Sequence, residues 1–184
     1  MGYVPTPDEL YHAYSTGWFP MAEESGEIGW YKPHVRAIIP IENFQASHSL
    51  RKSARKMEWE FDRDFANIMD ECANREETWI SREIKDAYVR LFDLGYAHCC
   101  GTYRNGSLIG GVYCVAFGNA LFAESMFHIE TDAGKVALWK LVEKAGQAGV
   151  ELFEVQFLTP HLATLGAIEI EEDEYFTLLE KALR

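Results

Sequence analysis

The sequence predicts an α+β fold built on a mixed sheet. Three apolar, strand-like runs follow one another between residues 96 and 127, joined by short turns, as in a β-meander. A helix, a strand and a second helix come next, an order typical of a mixed sheet flanked by helices. The 184 residues suffice to bury a substantial core. The first forty or so residues look like an appended lobe, so we divide the chain into a small N-terminal lobe over residues 1–45 and a larger domain over residues 46–184.

Capping and stop residues mark the helices of the first half of the chain. A helix over residues 8–16 is predicted by Thr6, a possible N-cap, and by Gly17, which stops it. Ser81 is the N-cap of a longer helix over residues 81–94. The other elements predicted in this half are a strand at residues 37–41, a basic helix at residues 47–56, a strand at residues 58–61 and a helix at residues 64–72.

Turn residues define the meander. Its strands cover residues 96–103, 107–117 and 120–127, and Asn105-Gly106, a strong hairpin signal, joins the first two. Apolar residues at helical spacing predict the next helix. The elements after the meander are a helix at residues 136–148, a strand at residues 151–158 and a terminal helix at residues 172–183.

Charge and composition limit the classes of protein that fit. The net charge of −12 argues against a general nucleic-acid binder. Positive charge is still concentrated in one short stretch, the basic segment, which consists of Arg51, Lys52, Arg55 and Lys56. Neither the histidines nor the four cysteines have metal-ligand spacing, so we expect no metal. No run is long and apolar enough to cross a bilayer and no signal peptide is recognisable, so we expect a cytoplasmic protein.

One strand of the meander carries a lone carboxylate among apolar side chains. Over residues 120–127, strand alternation places Phe122, Glu124 and Met126 on one face. A carboxylate in such surroundings is costly unless it is paired. Glu124 is therefore either paired with a base in the core or available to a cationic group of a ligand.

A second apolar strand carries an acid and an amide. Glu154 and Gln156 are two residues apart and share a face, while Phe153 and Val155 lie on the other face. A carboxylate beside an amide can orient a nucleophile or take its proton. A solvated polar sheet face would have the same spacing, so spacing alone leaves both interpretations open.

Four aromatic residues fall in predicted loops or turns, namely Trp18, Trp30, Tyr31 and Trp79. Aromatic rings on loops can stack on nucleic acid bases. They can equally pack the two lobes of the protein together. Their positions in the sequence do not choose between these roles.

Several short motifs occur in a specific order along the chain. They are Gly17-Trp18-Phe19-Pro20, Trp30-Tyr31, Ser47-His48-Ser49-Leu50-Arg51-Lys52, Thr78-Trp79-Ile80, Leu94-Gly95-Tyr96-Ala97-His98, Gly110-Gly111, Glu124-Ser125-Met126-Phe127, Val155-Gln156 and Leu165-Gly166-Ala167. Each motif alone is weak evidence of a family. Taken together and in this order, they make the chain resemble the bacterial leucyl/phenylalanyl-tRNA–protein transferases. The resemblance runs from about Leu10 to Leu183, which is nearly the whole chain.

The resemblance implies an aminoacyltransferase. Such enzymes move an aminoacyl group, here leucyl, phenylalanyl or methionyl, from a charged tRNA to the N-terminal amine of a protein that begins with Arg or Lys. The added residue is an N-degron, which marks that protein for degradation. The resemblance also implies a GNAT-like fold for the larger domain. The ester to tRNA is already activated, so no cofactor is implied, and the expected partners are aminoacyl-tRNA and the acceptor protein, with no membrane. We expect a monomer.

The resemblance further assigns roles to individual residues. Gln156 matches a glutamine whose carbonyl contacts the incoming amine, and Glu154 matches a supporting acid that is Asp in the family. Glu124 is expected near a substrate amine, Trp79 near the terminal adenosine of tRNA, and Tyr14 in the N-terminal wall of the site. The basic segment is expected to bind tRNA. The pocket for the transferred side chain is assigned to Val112, Leu121, Met126, Leu138, Leu141 and Phe153.

Three other functions stay open at this level. The first is the same chemistry with arginyl-tRNA as donor and acidic N-termini as acceptors. It requires a carboxylate at the base of the side-chain pocket, for which Glu124 and Glu154 are candidates. An acetyltransferase that uses acyl-CoA requires a Gly-rich loop before a helix, and the sequence has none. A non-catalytic binder of tRNA or of protein N-termini would have Glu154 and Gln156 engaged in internal contacts and no open pocket.

Overall fold

The computed structural model describes residues 2–184. Within this range the helices are α1 (Pro7–Ser15), α2 (His48–Ala54), α3 (Phe65–Ala73), α4 (Arg82–Asp93), α5 (Ala133–Ala148), α6 (Pro160–Ala163) and α7 (Glu172–Ala182). The strands are β1 (Phe19–Ala22), β2 (Ile28–Tyr31), β3 (Val35–Ile38), β4 (Glu58–Phe61), β5 (Ala97–Arg104), β6 (Ser107–Phe117), β7 (Ala120–His128), β8 (Leu152–Gln156) and β9 (Ile168–Glu171). No helix in the described range is both long and apolar enough to cross a bilayer.

Seven strands form one mixed sheet, in the order β4-β5-β6-β7-β8-β3-β9. Neighbouring strands in it are antiparallel except β7 and β8, which are parallel and are connected through α5. Strands β1 and β2 form a separate hairpin. The prediction of an α+β fold with a mixed sheet flanked by helices is confirmed.

Helices cover both faces of the seven-stranded sheet. On one face, α1, α3 and α4 contribute Tyr14, Ile68 and Tyr88 to a cluster of buried side chains, which we call the α4 core. On the other face, α2 and α5 contribute Leu50 and Leu138 to a second cluster, the α5 core. Because successive side chains of a strand point to opposite faces, the strands β3, β5, β6, β7 and β8 each supply residues to both cores.

Strand β3 ties the N-terminal region to the large sheet. It lies within residues 1–45, yet it pairs with β8 on one side and with β9 on the other. The β1–β2 hairpin is the part of this region that forms its own sheet. A domain division at residue 45 stays a proposal.

The short elements differ most from the prediction. The β1–β2 hairpin occupies residues predicted as a turn and a loop, and neither α6 nor β9 was predicted. In β9, Ile168 and Ile170 alternate with acids inside an acidic stretch. Four residues contain few periods of apolar alternation, so most elements of this length were not recognised, although the strand predicted at residues 58–61 is β4. The strand predicted over residues 151–158 ends at Gln156.

A β-bulge lies in β7 at Glu124. The register between β6 and β7 skips this residue, because its neighbours Ala123 and Ser125 pair with consecutive residues of β6. A bulge shifts the alternation of side chains by one position. Phe122 therefore packs in the α4 core, while Met126 packs against the α5 core. The prediction that Phe122, Glu124 and Met126 share one face is wrong.

Candidate functional site

A pocket opens where the parallel strands β7 and β8 separate. Their pairing ends at Phe122 and Glu154, so the residues that follow line a gap instead of continuing the ladder. Its cavity volume is about 80 Å³. Glu124, Ser125 and Gln156 form its polar end. The apolar wall consists of Val112, Ala123, Met126, Leu138, Val155 and Leu162.

Glu124 is held at the polar end by hydroxyl and amide groups. Its Oε1 accepts hydrogen bonds from Tyr14 Oη at 2.7 Å and from Gln156 Nε2 at 3.2 Å. Tyr88 Oη lies 3.3 Å from Oε2, and the two tyrosine hydroxyls also contact each other. Burial raises the pKa of Glu124 to about 8, although the hydrogen bond from Tyr14 acts in the opposite direction. The carboxylate can therefore exchange a proton near neutral pH.

The raised pKa of Glu124 makes the stability of the fold depend on pH. Between pH 4.5, the ordinary pKa of glutamate, and about pH 8, the pKa of Glu124 in the folded protein, Glu124 keeps a proton that it loses in the unfolded chain. The stability that the protonated Glu124 contributes is therefore fully present below about pH 4.5 and is lost as the pH rises through about 8. Glutamine cannot ionise, so the Glu124→Gln protein does not lose this stabilisation. We expect the melting temperature of Glu124→Gln minus that of the parent protein to be larger at about pH 8 than at about pH 5. Thermal melts of both proteins test this, and an equal difference at both pH values would contradict it.

Gln156 ends β8 in a strained backbone conformation. Its φ of 55° lies in the left-handed region, which side chains other than glycine rarely adopt. The amide of Phe157 donates to the carbonyl of Val155 across it at 2.7 Å, which describes a γ-turn. Because Gln156 Nε2 donates to Glu124, the amide oxygen of Gln156 is directed away from the carboxylate. Within residues 2–184 this oxygen has no hydrogen-bond partner and it is not fully buried, so it can accept from a group in the pocket.

Glu154 lies behind the pocket and is not among the residues that line it. It is 1% exposed, its Oε1 pairs with Arg36, and its Oε2 accepts from Tyr175 Oη at 2.6 Å. Arg36 also donates to the carbonyl of Gly17. Because Glu154 does not line the pocket and its carboxylate is paired with Arg36, the geometry does not support proton transfer from a substrate to Glu154. We assign it a positioning role instead, since it connects β8 with β3 and α7.

The predicted apolar pocket residues divide into two groups. Val112, Met126 and Leu138 line the pocket. The other three, Leu121, Leu141 and Phe153, are buried in the α5 core and are not among the lining residues. They support the wall from behind.

The aromatic residues expected around the site are not part of the pocket surface. Tyr14 is 2% exposed and donates a hydrogen bond to Glu124 instead of forming an open wall. Trp79 packs against the α4 core, and its carbonyl accepts from the amide of Ala22 at 3.0 Å. Contact of Trp79 with an adenosine stays a prediction, and Trp79 joins the β1–β2 hairpin to the segment before α4.

Several important residues were missed by the sequence reasoning. Leu162 belongs to α6, a helix too short to predict. Arg36 and Glu154 could have been paired, because each is a lone charge in an apolar strand and the charges are opposite. Tyr88 and Tyr175 gave no such signal, since an aromatic residue on an amphipathic helix is usually a core residue.

The basic segment lies on α2 and just after it. Arg51, Lys52, Arg55 and Lys56 are all exposed. Within residues 2–184 none of them pairs with a carboxylate. The guanidinium of Arg51 lies 5.3 Å from the ring centre of Trp139 on α5. These charges are available to an anionic partner.

The cysteines and other metal-ligating residues form no second centre in the described part of the chain. All four cysteines are buried and free. Burial raises the pKa of the Cys72 thiol to about 12, so it is not a thiolate nucleophile at neutral pH. No group of three or more His, Cys, Asp or Glu side chains within residues 2–184 could hold a metal ion.

Family models match most of the chain. The model described as leucyl/phenylalanyl-tRNA protein transferase matches residues 38–180. The model described as the N-terminal domain of the same protein matches residues 5–34. The boundary between the two models falls within the segment that contains β3.

Curated relatives agree with these models. A leucyl/phenylalanyl-tRNA–protein transferase of Ruegeria pomeroyi is 48% identical over 181 residues, covering 96% of this chain and 86% of the relative. One from Cereibacter sphaeroides is 48% identical over 182 residues, covering 97% of this chain and 85% of the relative. Among solved structures, a ribosomal-protein-alanine N-acetyltransferase from Brucella melitensis biovar Abortus is similar at 17% identity and a TM-score of 0.38, over 50% of this chain and 73% of that chain. This last similarity is too low to support a conclusion.

Proposed function

The chain belongs to the leucyl/phenylalanyl-tRNA protein transferase family, and from this premise we propose that it transfers a leucyl or phenylalanyl group from aminoacyl-tRNA to the N-terminal amine of a protein. A methionyl group is a further candidate donor. The acceptor begins with Arg or Lys, and the product carries an N-degron. The observation that carries the proposal is the apolar pocket that ends in Glu124 and Gln156.

The shape of the pocket supports this choice of donor. Its apolar wall suits an isobutyl or benzyl side chain, because burying such a group in apolar surroundings is favourable. The ester carbonyl of a donor seated there would lie at the polar end, beside Glu124 and Gln156. A mostly apolar pocket with a few convergent polar groups is the usual form of a small-molecule site.

The polar end supplies what aminolysis of an ester needs. The α-ammonium of the acceptor gives one proton to the Glu124 carboxylate, whose pKa of about 8 is close to that of an α-amino group, roughly 7.7–8.0. The free amine, oriented by the amide oxygen of Gln156, attacks the ester carbonyl carbon. As the C–N bond forms, the C–O bond to the ribose breaks, and the remaining excess proton on nitrogen passes to the ribose oxygen. The products are a peptide bond and a tRNA with a free terminal hydroxyl.

A donor screen tests the function. Labelled leucine, phenylalanine, methionine and arginine are each supplied on tRNA, with peptides that begin with Arg, Lys or Asp as acceptors. We propose that product forms from Leu and Phe on the Arg and Lys peptides. Product from arginyl-tRNA alone, on the Asp peptide, would replace the donor assignment by the arginyl alternative.

The contacts of Glu124 speak against an arginyl donor. A guanidinium pairs best with both oxygens of a carboxylate, whereas Oε1 of Glu124 already accepts hydrogen bonds from Tyr14 and Gln156. Glu154, the other candidate, is engaged by Arg36 behind the pocket. An apolar donor leaves these hydrogen bonds intact.

Leu162 offers a test of donor specificity. It is half-buried and lines the pocket, so Leu162→Ala enlarges the space for the donor side chain with limited loss of stability. We expect the kcat/KM ratio of phenylalanyl to leucyl donors to rise by roughly tenfold, since even one methylene in a hydrophobic pocket changes discrimination by about 1–3 kcal/mol. Competition between the two charged tRNAs measures the ratio. Leu158→Ala is the matched control, because Leu158 packs against the same core but does not line the pocket; an equal shift in both variants would contradict the assignment.

The setting of the reaction follows from its substrates. We propose that the enzyme acts in the cytoplasm, where charged tRNA is found, and that it acts as a monomer. Size-exclusion chromatography with light scattering tests the second point. The N-degron route is tested by the half-life of an Arg-initiated reporter protein with and without the enzyme.

A further inference from the structure

A large open cleft lies on the side of α1 that faces away from Glu124. Tyr14, which donates a hydrogen bond to Glu124, points inward from this helix. His12 and Thr16, which line the cleft, are each two residues from Tyr14 and therefore about 200° around the helix from it. The cleft has a volume of about 600 Å³, against about 80 Å³ for the pocket between β7 and β8. We call it the α1 cleft.

Three aromatic rings give the α1 cleft an apolar lining. Trp18 and Tyr3 are 41% and 52% exposed, while Trp30 is half-buried and packs against the α4 core. Open rings in a concave surface can hold the stem of a long side chain or a cation. Packing of the two lobes, one of the roles that the sequence left open, does not account for the exposed part of Trp18.

Two carboxylates line the same cleft. Asp8 is exposed and pairs with no cation within residues 2–184. Glu9 accepts from the amide and the hydroxyl of Thr6, at 2.8 and 2.7 Å, through Oε2. No lysine or arginine is among the residues that line the cleft. Two negative charges beside open aromatic rings attract a cation and repel the phosphates of a nucleic acid.

The α1 cleft lies near the place where the acceptor amine reacts. Only α1 separates it from Glu124, and a helix with its side chains is about 10–12 Å across. After Trp18 comes Phe19, whose ring centre lies 6.1 Å from that of Phe157, the residue that follows Gln156. An extended chain advances about 3.3–3.6 Å per residue. A side chain roughly five or six residues after the N-terminus of the acceptor can therefore reach around α1.

We propose that the α1 cleft binds a second cationic side chain of the acceptor, a lysine or arginine that lies downstream of its first residue. The inference rests on the proposed function, which puts the N-terminal amine beside Glu124. The alkyl stem of the second side chain packs on Trp18 and Trp30, and its charged end meets Asp8. The cleft thereby gives the enzyme a preference among proteins that share the same first residue.

The experiment moves one arginine along the acceptor. Each peptide begins with Arg, is otherwise uncharged and carries a second Arg at one position, which is shifted residue by residue through the series. Companion peptides have Gln, Glu or Leu in place of the second Arg. The measurements are kcat and the KM of the peptide for leucyl transfer from leucyl-tRNA. Fluorescence anisotropy of peptides with an acetylated N-terminus gives a binding readout that needs no catalysis.

Two variants remove the charge and the ring separately, each with a matched control. Asp8→Asn is compared with Asp173→Asn, because Asp173 is also an exposed acid in the first turn of a helix but does not line the cleft. Trp18→Leu is compared with Trp59→Leu, because Trp59 is likewise 41% exposed and lies outside the cleft. Thermal melts establish that each variant is folded.

We expect a second Arg about five or six residues after the first to lower the KM of the peptide by about fivefold at unchanged kcat. Gln, Glu and Leu at that position give no such gain. Asp8→Asn and Trp18→Leu each remove most of the gain and leave the peptide with a single Arg unaffected. Asp173→Asn and Trp59→Leu keep the gain. Binding of the acetylated peptides follows the same order.

Three results would overturn the inference while leaving the proposed function in place. The first is a KM that does not depend on the position of the second Arg. The second is an equal gain from Leu at that position, which would make the cleft an apolar site without preference for charge. The third is a loss in Asp8→Asn and Trp18→Leu that is the same for the peptide with a single Arg. A parent protein that transfers to no peptide, yet binds the acetylated peptide with two Arg residues, would instead overturn the proposed function.

Discussion

Replacing Glu124 by glutamine is expected to lower kcat/KM for leucyl transfer by at least about a hundredfold. Glutamine fills the same space but cannot take a proton from the acceptor ammonium, and a positioned base contributes roughly 10²–10⁴ to the rate. A hundredfold loss corresponds to about 2.7 kcal/mol of transition-state stabilisation. The measurement is the initial rate of labelled leucine transfer from leucyl-tRNA to a peptide that begins with Arg.

Two companion variants separate chemistry from structure. Tyr14→Phe removes one hydrogen bond to Glu124 and keeps the carboxylate, so we expect a smaller loss of rate. Glu143→Gln removes an exposed carboxylate that does not line the pocket, and its rate should equal that of the parent. A Glu124→Gln protein that melts normally, binds tRNA normally and retains the parent rate would show that Glu124 is not the proton acceptor.

Replacing Arg36 by methionine is expected to destabilise the fold by about 3–5 kcal/mol, because it leaves a buried carboxylate without its cation. Arg36 and Glu154 are each 1% exposed, so water cannot replace the lost partner. Urea unfolding followed by circular dichroism measures the change. A loss below about 1 kcal/mol would show that the pair behaves like an exposed one.

A double variant distinguishes positioning from chemistry at Glu154. In Arg36→Met with Glu154→Gln, both charges are gone and the glutamine can still accept from Tyr175. We expect most of the lost stability to return, because neutral groups replace the ion pair together. Transfer activity should return with it, since Glu154 acts by holding β3, β8 and α7 in place. A stable but inactive double variant would show that the carboxylate takes part in the reaction.

Apolar periodicity predicted the main elements of the fold and missed the local departures from regular strands. The meander and the long helices follow from apolar periodicity and turn residues, whereas the placement of Gln156 and Glu124 in one site was implied only by the family resemblance. The orientation of Glu124 does not follow from periodicity, because a bulge depends on the register with β6, which no local pattern specifies. Glu154 and Gln156 were expected to act together. The γ-turn at Gln156 and the ion pair of Glu154 give them different neighbours.

The left-handed backbone of Gln156 has a consequence for directed evolution of this protein. A non-glycine residue at that φ costs about 1–2 kcal/mol, which glycine would recover in part. Glycine would also delete the amide that bonds to Glu124 and borders the pocket. A library selected only for heat resistance would therefore tend to lose this side chain, and with it the arrangement we propose for catalysis. Selection for thermostable forms must be coupled to a screen for transfer at every round.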